Sequence, residues 1–131
     1  MKIINDYLRH SITLMALVLV VGCATPVAKD DTHANIFQKP IKIVHQAAQD
    51  ALVVNGFDIK KLESNYIEGF RPHKIGLIVG SGGETVGVWL DELEPNKTRV
   101  KVDTARSVVG IVGQKNWDNE VMDEISKSLI R

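Results

Sequence analysis

The run Gly76-Leu77-Ile78-Val79-Gly80-Ser81-Gly82-Gly83 is the one stretch with the residue types to cradle a phosphate or present a nucleophile. It meets none of the spacings that such chemistry needs. A phosphate-binding loop closes with Lys and then Ser or Thr, whereas Gly83 is followed by Glu84-Thr85, and a carboxylate at that point repels phosphate. A dinucleotide site needs a helix N-terminus to receive the pyrophosphate, but the alternation after Gly83 predicts a strand. A nucleophile elbow places glycines two residues before and after its serine, and Ser81 has Val79 and Gly83. Glu68 and Glu84 would be a glycosidase pair only if the fold set them opposite each other, which no spacing fixes. His33, His45 and His73 have no cysteine or dense carboxylate cluster beside them, so no metal site and no cofactor are expected. Arg71, His73 and Lys74 form a small basic cluster that reads as a solvated turn. No set of nucleophile, base and orienting group emerges, and the expected class is non-enzymatic.

The 131 residues balance 16 Lys and Arg against 16 Asp and Glu, and include a single cysteine. That length suits one small domain. Zero net charge removes the electrostatic footprint of a nucleic-acid binder, and one cysteine excludes an internal disulfide framework. Lys2, Arg9 and His10 precede an apolar run from Ser11 to Gly22 that stops at Cys23. A spanning helix needs about 20 apolar residues, roughly twice what this run offers, and the charges stand on its N-terminal side only. Residues 1–22 therefore read as a signal peptide.

Val20-Val21-Gly22-Cys23 resembles the lipobox of bacterial lipoproteins, in which small or aliphatic residues precede a cysteine that is lipidated and becomes the new N-terminus. The resemblance implies cleavage between Gly22 and Cys23, acylation of the Cys23 thiol, and a membrane partner through that anchor. Two or three acyl chains give stable attachment where one gives only marginal binding. Ala24, in place of the Asp that resembles an inner-membrane retention signal, favours the outer membrane, with the protein facing the periplasm. Cleavage would remove Lys2, Arg9 and Asp6, so the mature chain stays near neutral. Residues 23–35, small and polar after the lipidated cysteine, have no apolar period and read as a flexible tether; a domain spanning 36–131 is expected to follow.

Ile41, Val44, Ala48, Ala51 and Leu52 recur at three- and four-residue spacing, predicting a helix from Pro40 to Asn55 that stops at Gly56. Phe57 to Leu62 and Tyr66 to Arg71 predict a strand pair closed by Pro72. Val86, Val88 and Leu90 alternate with Thr85, Gly87 and Trp89 in a strand from Glu84 to Leu93, and Thr98 to Arg106 alternates likewise after the turn Glu94-Pro95-Asn96-Lys97. Trp117, Val121, Ile125 and Leu129 mark a second amphipathic helix that Asn116 can cap. The expected fold is α+β: an antiparallel three- or four-stranded meander with the N-terminal and C-terminal helices on one face. The glycine-rich run then reads as a turn between a short buried strand and the Glu84 strand, with positive φ expected among Gly80, Gly82 and Gly83. Trp89 and Trp117 read as packing residues between helix and sheet.

From about Ile41 to Ile130 the chain resembles small bacterial lipoproteins whose shared domain has no assigned function. The resemblance lies in the helix ending at Gly56-Phe57, the Tyr66-Ile67-Glu68-Gly69 strand, the Glu84 to Leu90 and Thr98 to Val102 strands, and the helix after Gly113. More distantly, the arrangement is similar to accessory lipoproteins of the outer-membrane barrel-assembly machinery, which implies action by binding protein partners. Two apolar, glycine-spaced runs are the candidate interface: Ile75, Gly76, Leu77, Ile78, Val79 and Gly80 in one, Val108, Val109 and Ile111 in the other. The expected function is that of a lipid-anchored cell-envelope protein of binding or structural type. It would contact an envelope protein and no nucleic acid; the alternative is a small hydrolase or ligand-binding protein acting on cell-wall or lipid substrate. The Cys23→Ser chain is expected to stay uncleaved after Gly22 and to take up no radiolabelled fatty acid in growing cells; label retained by that variant would refute acylation at this thiol.

Overall fold

A computed structural model of the chain describes residues 25–75, 78–106 and 115–130. The signal-peptide and lipidation expectations at 1–23, and Gly76, Leu77, Val108, Val109 and Ile111 of the candidate interface, lie outside these residues.

The fold is α+β: the described residues form two α-helices and one open antiparallel sheet of five strands in the order β1-β5-β4-β3-β2. In chain order the elements are β1 (Asn35–Phe37), α1 (Ile41–Val54), β2 (Asp58–Leu62), β3 (Tyr66–Ile75), β4 (Ile78–Glu94), β5 (Lys97–Arg106) and α2 (Asp118–Ile130). The strand missing from the expected three or four is β1. It pairs with β5 through Asn35↔Val100, Ile36↔Arg99 and Phe37↔Thr98, and at three residues it is too short to alternate legibly.

Both helices cover the same sheet face. α1 buries Val44, Ala47, Ala48, Ala51 and Leu52, and α2 buries Val121 and Ile125. These meet Ile67, Val86, Val88, Leu90, Val100 and Val102, the inward residues of β3, β4 and β5. α1 begins at Ile41, directly after Pro40, and ends in a paired reversal in which the Gly56 N–H donates to Val53 O and the Phe57 N–H to Leu52 O. Gly56 takes φ +83°, which its lack of a side chain allows. α2 begins at Asp118, one residue after Trp117, whose carbonyl accepts from the Val121 N–H. Asn116 Oδ1 caps this helix by accepting from the Asp118 N–H at 2.8 Å.

The glycine-rich run does not form the expected turn. Residues 78–83 are the first part of the 17-residue β4, and β3 runs on past Pro72 to Ile75 to pair with it. Pro72 is accommodated because β2 ends its pairing with β3 at Phe70, and among the described residues no strand lies beyond to require an N–H. The register shifts between Pro72 and Lys74. Among the described residues the only positive φ is at Gly56, so the positive φ expected at Gly80 to Gly83 is absent. Gly83 is needed for close approach: a Cβ there would stand 2.6 Å from Arg71 O and 2.8 Å from the Phe70 ring.

Gly69 has the same role on the helix side. Its position points inward beside Val86, and an added Cβ would lie 2.9 Å from Phe57 Cβ, an atom fixed to the backbone just after α1. Gly69→Ala should therefore cost about 1 to 3 kcal/mol through overpacking, read as a lower urea midpoint at unchanged slope.

Candidate functional site

β3 and β4 extend beyond the rest of the sheet. β5 ends its pairing at Arg106↔Glu84, and from there to Ile75↔Ile78 the two strands pair, among the described residues, only with each other. Of the candidate interface, Ile75, Ile78, Val79 and Gly80 thus lie on a two-stranded arm. β5 ends at Arg106, at the end of the sheet from which the arm extends.

At the base of this arm the inward positions carry charge instead of aliphatic groups. Glu84 is 3% exposed, and its Oε1 accepts from the Lys115 N–H at 3.1 Å. Arg71, opposite Glu84 in register, lays its guanidinium over the Trp117 ring at 4.6 Å, while Lys115 Nζ stands 4.4 Å from that ring's centre. Phe57 meets Trp117 edge-on at 5.4 Å. The indole Nε1 is buried without a hydrogen-bond partner among the described residues. Trp117 packs between helix and sheet as expected, but Trp89 does not. It points to the face opposite the helices, 5.0 Å from Tyr66.

That face also receives the N-terminal stretch. Residues 25–34, expected to be a free tether, are held against the sheet. Pro26 is buried over Gly87, where an added Cβ would meet Pro26 Cβ at 2.9 Å and the Trp89 ring at 2.6 Å. The Val27 N–H donates to Asp103 at 3.1 Å. Lys29 reaches round β5 to Asp118, at the start of α2, and lies 3.5 Å from Asp103. Asp31 pairs with Arg99 at 2.6 Å and Lys101 at 2.7 Å. The Lys101 hydrogen bond and the Arg99 charge hold its carboxyl below the usual range.

Several arrangements resemble catalytic ones and fail on geometry. Thr32 Oγ1 and Asp30 Oδ1 both lie within hydrogen-bond distance of His33 Nδ1, at 3.0 and 2.9 Å. A triad needs its nucleophile and acid on different ring nitrogens, and this group is the exposed cap of the 3-10 turn Asp31–His33. Glu68 and Glu84 point to opposite faces of the sheet, which removes the glycosidase pair. Glu68 instead accepts from Tyr66 Oη at 2.7 Å. Burial and that hydrogen bond hold the phenol in its protonated form. His45 Nε2 lies 2.7 Å from Glu63 O. Among the described residues no cluster of His, Cys, Asp and Glu is arranged to hold a metal ion, and no helix is long and apolar enough to cross a membrane. An open groove of about 440 Å³ lies between the N-terminal stretch and α2, lined by Lys29, His33, Asp118 and Asp123 among others.

No family model and no curated protein sequence matches the chain.

The tie between Lys29, Asp118 and Thr104 is the best-defined polar network here. Thr104 is buried, donates to Asp118 Oδ1 at 2.6 Å and accepts from the Trp117 N–H at 2.9 Å. Burial alone would raise the Asp118 carboxyl, but the hydrogen bonds from Lys29 and Thr104 outweigh it and hold the group below its ordinary 3.8. A carboxyl depressed on folding stabilises the fold above its unfolded pKa, and that contribution is lost as pH falls through the folded value. Asp118→Asn should flatten the acid limb of the stability curve below about pH 4. Thr104→Val should cost about 1 to 3 kcal/mol in denaturant unfolding at neutral pH, since it leaves the Trp117 N–H without its acceptor and Asp118 with one partner fewer.

Proposed function

We propose that this chain is a lipid-anchored cell-envelope protein of non-enzymatic type, which binds another envelope component through the apolar arm of β3 and β4. The observation that carries the reading is the short apolar run ending in Val20-Val21-Gly22-Cys23, which resembles a lipoprotein leader. An outer-membrane, periplasm-facing location fits Ala24 after the cysteine. The binding half of the reading is supported by the arm's composition and pairing: it carries Ile75, Ile78 and Val79, and among the described residues its two strands pair only with each other. The resemblance to accessory lipoproteins of the barrel-assembly machinery points to the same class of partner, a protein of the envelope.

Crosslinking in intact cells followed by identification of the attached protein tests this directly. A reproducible envelope partner is expected. Replacing Leu77 and Ile78 together by Ser should abolish that crosslink while leaving the thermal unfolding of the domain nearly unchanged. If the double substitution unfolds the domain instead, those residues are core and the arm is not the interface.

A further inference from the structure

We propose that the sheet face opposite the helices, where the half-buried Trp89 and Tyr66 lie beside the docked N-terminal stretch, is turned toward the phospholipid surface to which Cys23 is anchored. The inference rests on the reading of Cys23 as lipidated and adds to it an orientation. Pro26 is fixed over Gly87 and Trp89 in β4, the middle strand of the sheet. Cys23 precedes Pro26 by three residues, which reach at most about 10 Å even when fully extended. Turning the helix layer toward the lipid would require the anchor to pass the sheet and a helix as well, a path of roughly 20 Å. Either sheet edge lies two strands from β4, also about 10 Å, so an edge-on stance would take the whole reach of the chain. The face under Pro26 is the one that three residues bring to the lipid with length to spare.

The chemistry of that face suits a headgroup layer. Trp89 and Tyr66 stack at 5.0 Å, with rings tilted by 41°, and aromatic groups of this kind favour the membrane–water interface. Val27, 71% exposed, and Ile36, 52% exposed, add aliphatic surface at the same side. Lys61 Nζ lies 5.9 Å from the Tyr66 ring and 3.6 Å from Glu68 Oε2, so its charge is already matched on this face. The remaining charges pair among themselves: Arg99 with Asp91 and Asp31, and Lys101 with Asp31. Contact is therefore made through aromatic and aliphatic groups, and it requires neither anionic lipid nor low salt.

The chain has two tryptophans, one on each side of the sheet, so fluorescence separates the faces. The acylated full-length product is purified from membranes and reconstituted in phosphatidylcholine vesicles whose acyl chains are brominated near the headgroup. Trp117→Phe leaves Trp89 as the reporter, and Trp89→Phe leaves Trp117. Roughly twofold or greater quenching of Trp89, unchanged in high salt, with Trp117 unquenched, is the expected result. Protein that floats with the vesicles while Trp89 stays unquenched, or while Trp117 is quenched in its place, overturns the orientation and leaves lipidation standing. Protein that does not float overturns both. If Trp117→Phe fails to fold, the loss of quenching from the unaltered chain to Trp89→Phe reports the same contact.

Discussion

The two-residue period of β4 is the constraint on which the rest of the structure depends. Glu84, Val86, Val88 and Leu90 point to the helices, and Thr85, Gly87 and Trp89 point away. A slip of one residue against β3 or β5 would put Trp89 under α1 and expose Val88, so the register is fixed by burial on one side alone. Among the described residues both α-helices are spent on the inward face, and neither covers the outward one. The N-terminal stretch and the aromatic pair Tyr66 and Trp89 occupy it instead.

The same constraint accounts for the placement of small residues. Ala47, Ala48 and Ala51 let α1 approach the sheet, and Gly69 gives way to Phe57 where the chain leaves that helix. On the other face Gly87 leaves the space that Pro26 and the Trp89 ring fill. The sheet glycines at 69, 83 and 87 thus mark places where other atoms of the chain come within a Cβ's width of the backbone, and none of the three has a positive φ. Their role is steric, through what they lack.

The helices were legible because their apolar spacing of three and four survives in the buried set, Val44, Ala48, Ala51 and Leu52 in α1 and Val121 and Ile125 in α2. The central parts of β3, β4 and β5 were legible for the corresponding reason. The first part of β4 was not: three glycines and a serine among residues 78–83 carry no alternation and weak strand propensity, so they read as a turn although pairing with β3 holds them extended. β1 and the docked stretch before it were illegible because their partners are far along the chain. Val27 meets Asp103, Lys29 meets Asp118 and Asp31 meets Arg99, separations of 76, 89 and 68 residues that leave no periodic trace. The candidate interface was read from composition, and the described part of it falls on the arm. The charged base of that arm depends on Arg71 and Glu84 being register partners, a fact set by the sheet.

The energetics of the N-terminal stretch follow from how its contacts differ. Asp31 is 62% exposed at its side chain, so its pairs with Arg99 and Lys101 belong to the class worth at most about 1 kcal/mol each. Asp118 is only 14% exposed and shares its carboxylate between Lys29 and the buried Thr104, whose hydroxyl also satisfies the Trp117 N–H. Removing Lys29 would leave that carboxylate part-buried with one fewer partner, a larger loss than any of the exposed pairs. The stretch is therefore pinned at two points of different character, Pro26 by close packing over Gly87 and Lys29 by the network at the start of α2. Between Cys23 and Pro26 the chain reaches about 10 Å, whereas from Cys23 to β1 it could extend about 40 Å. Those two attachments divide a domain held close to whatever Cys23 is joined to from one that ranges freely on a tether.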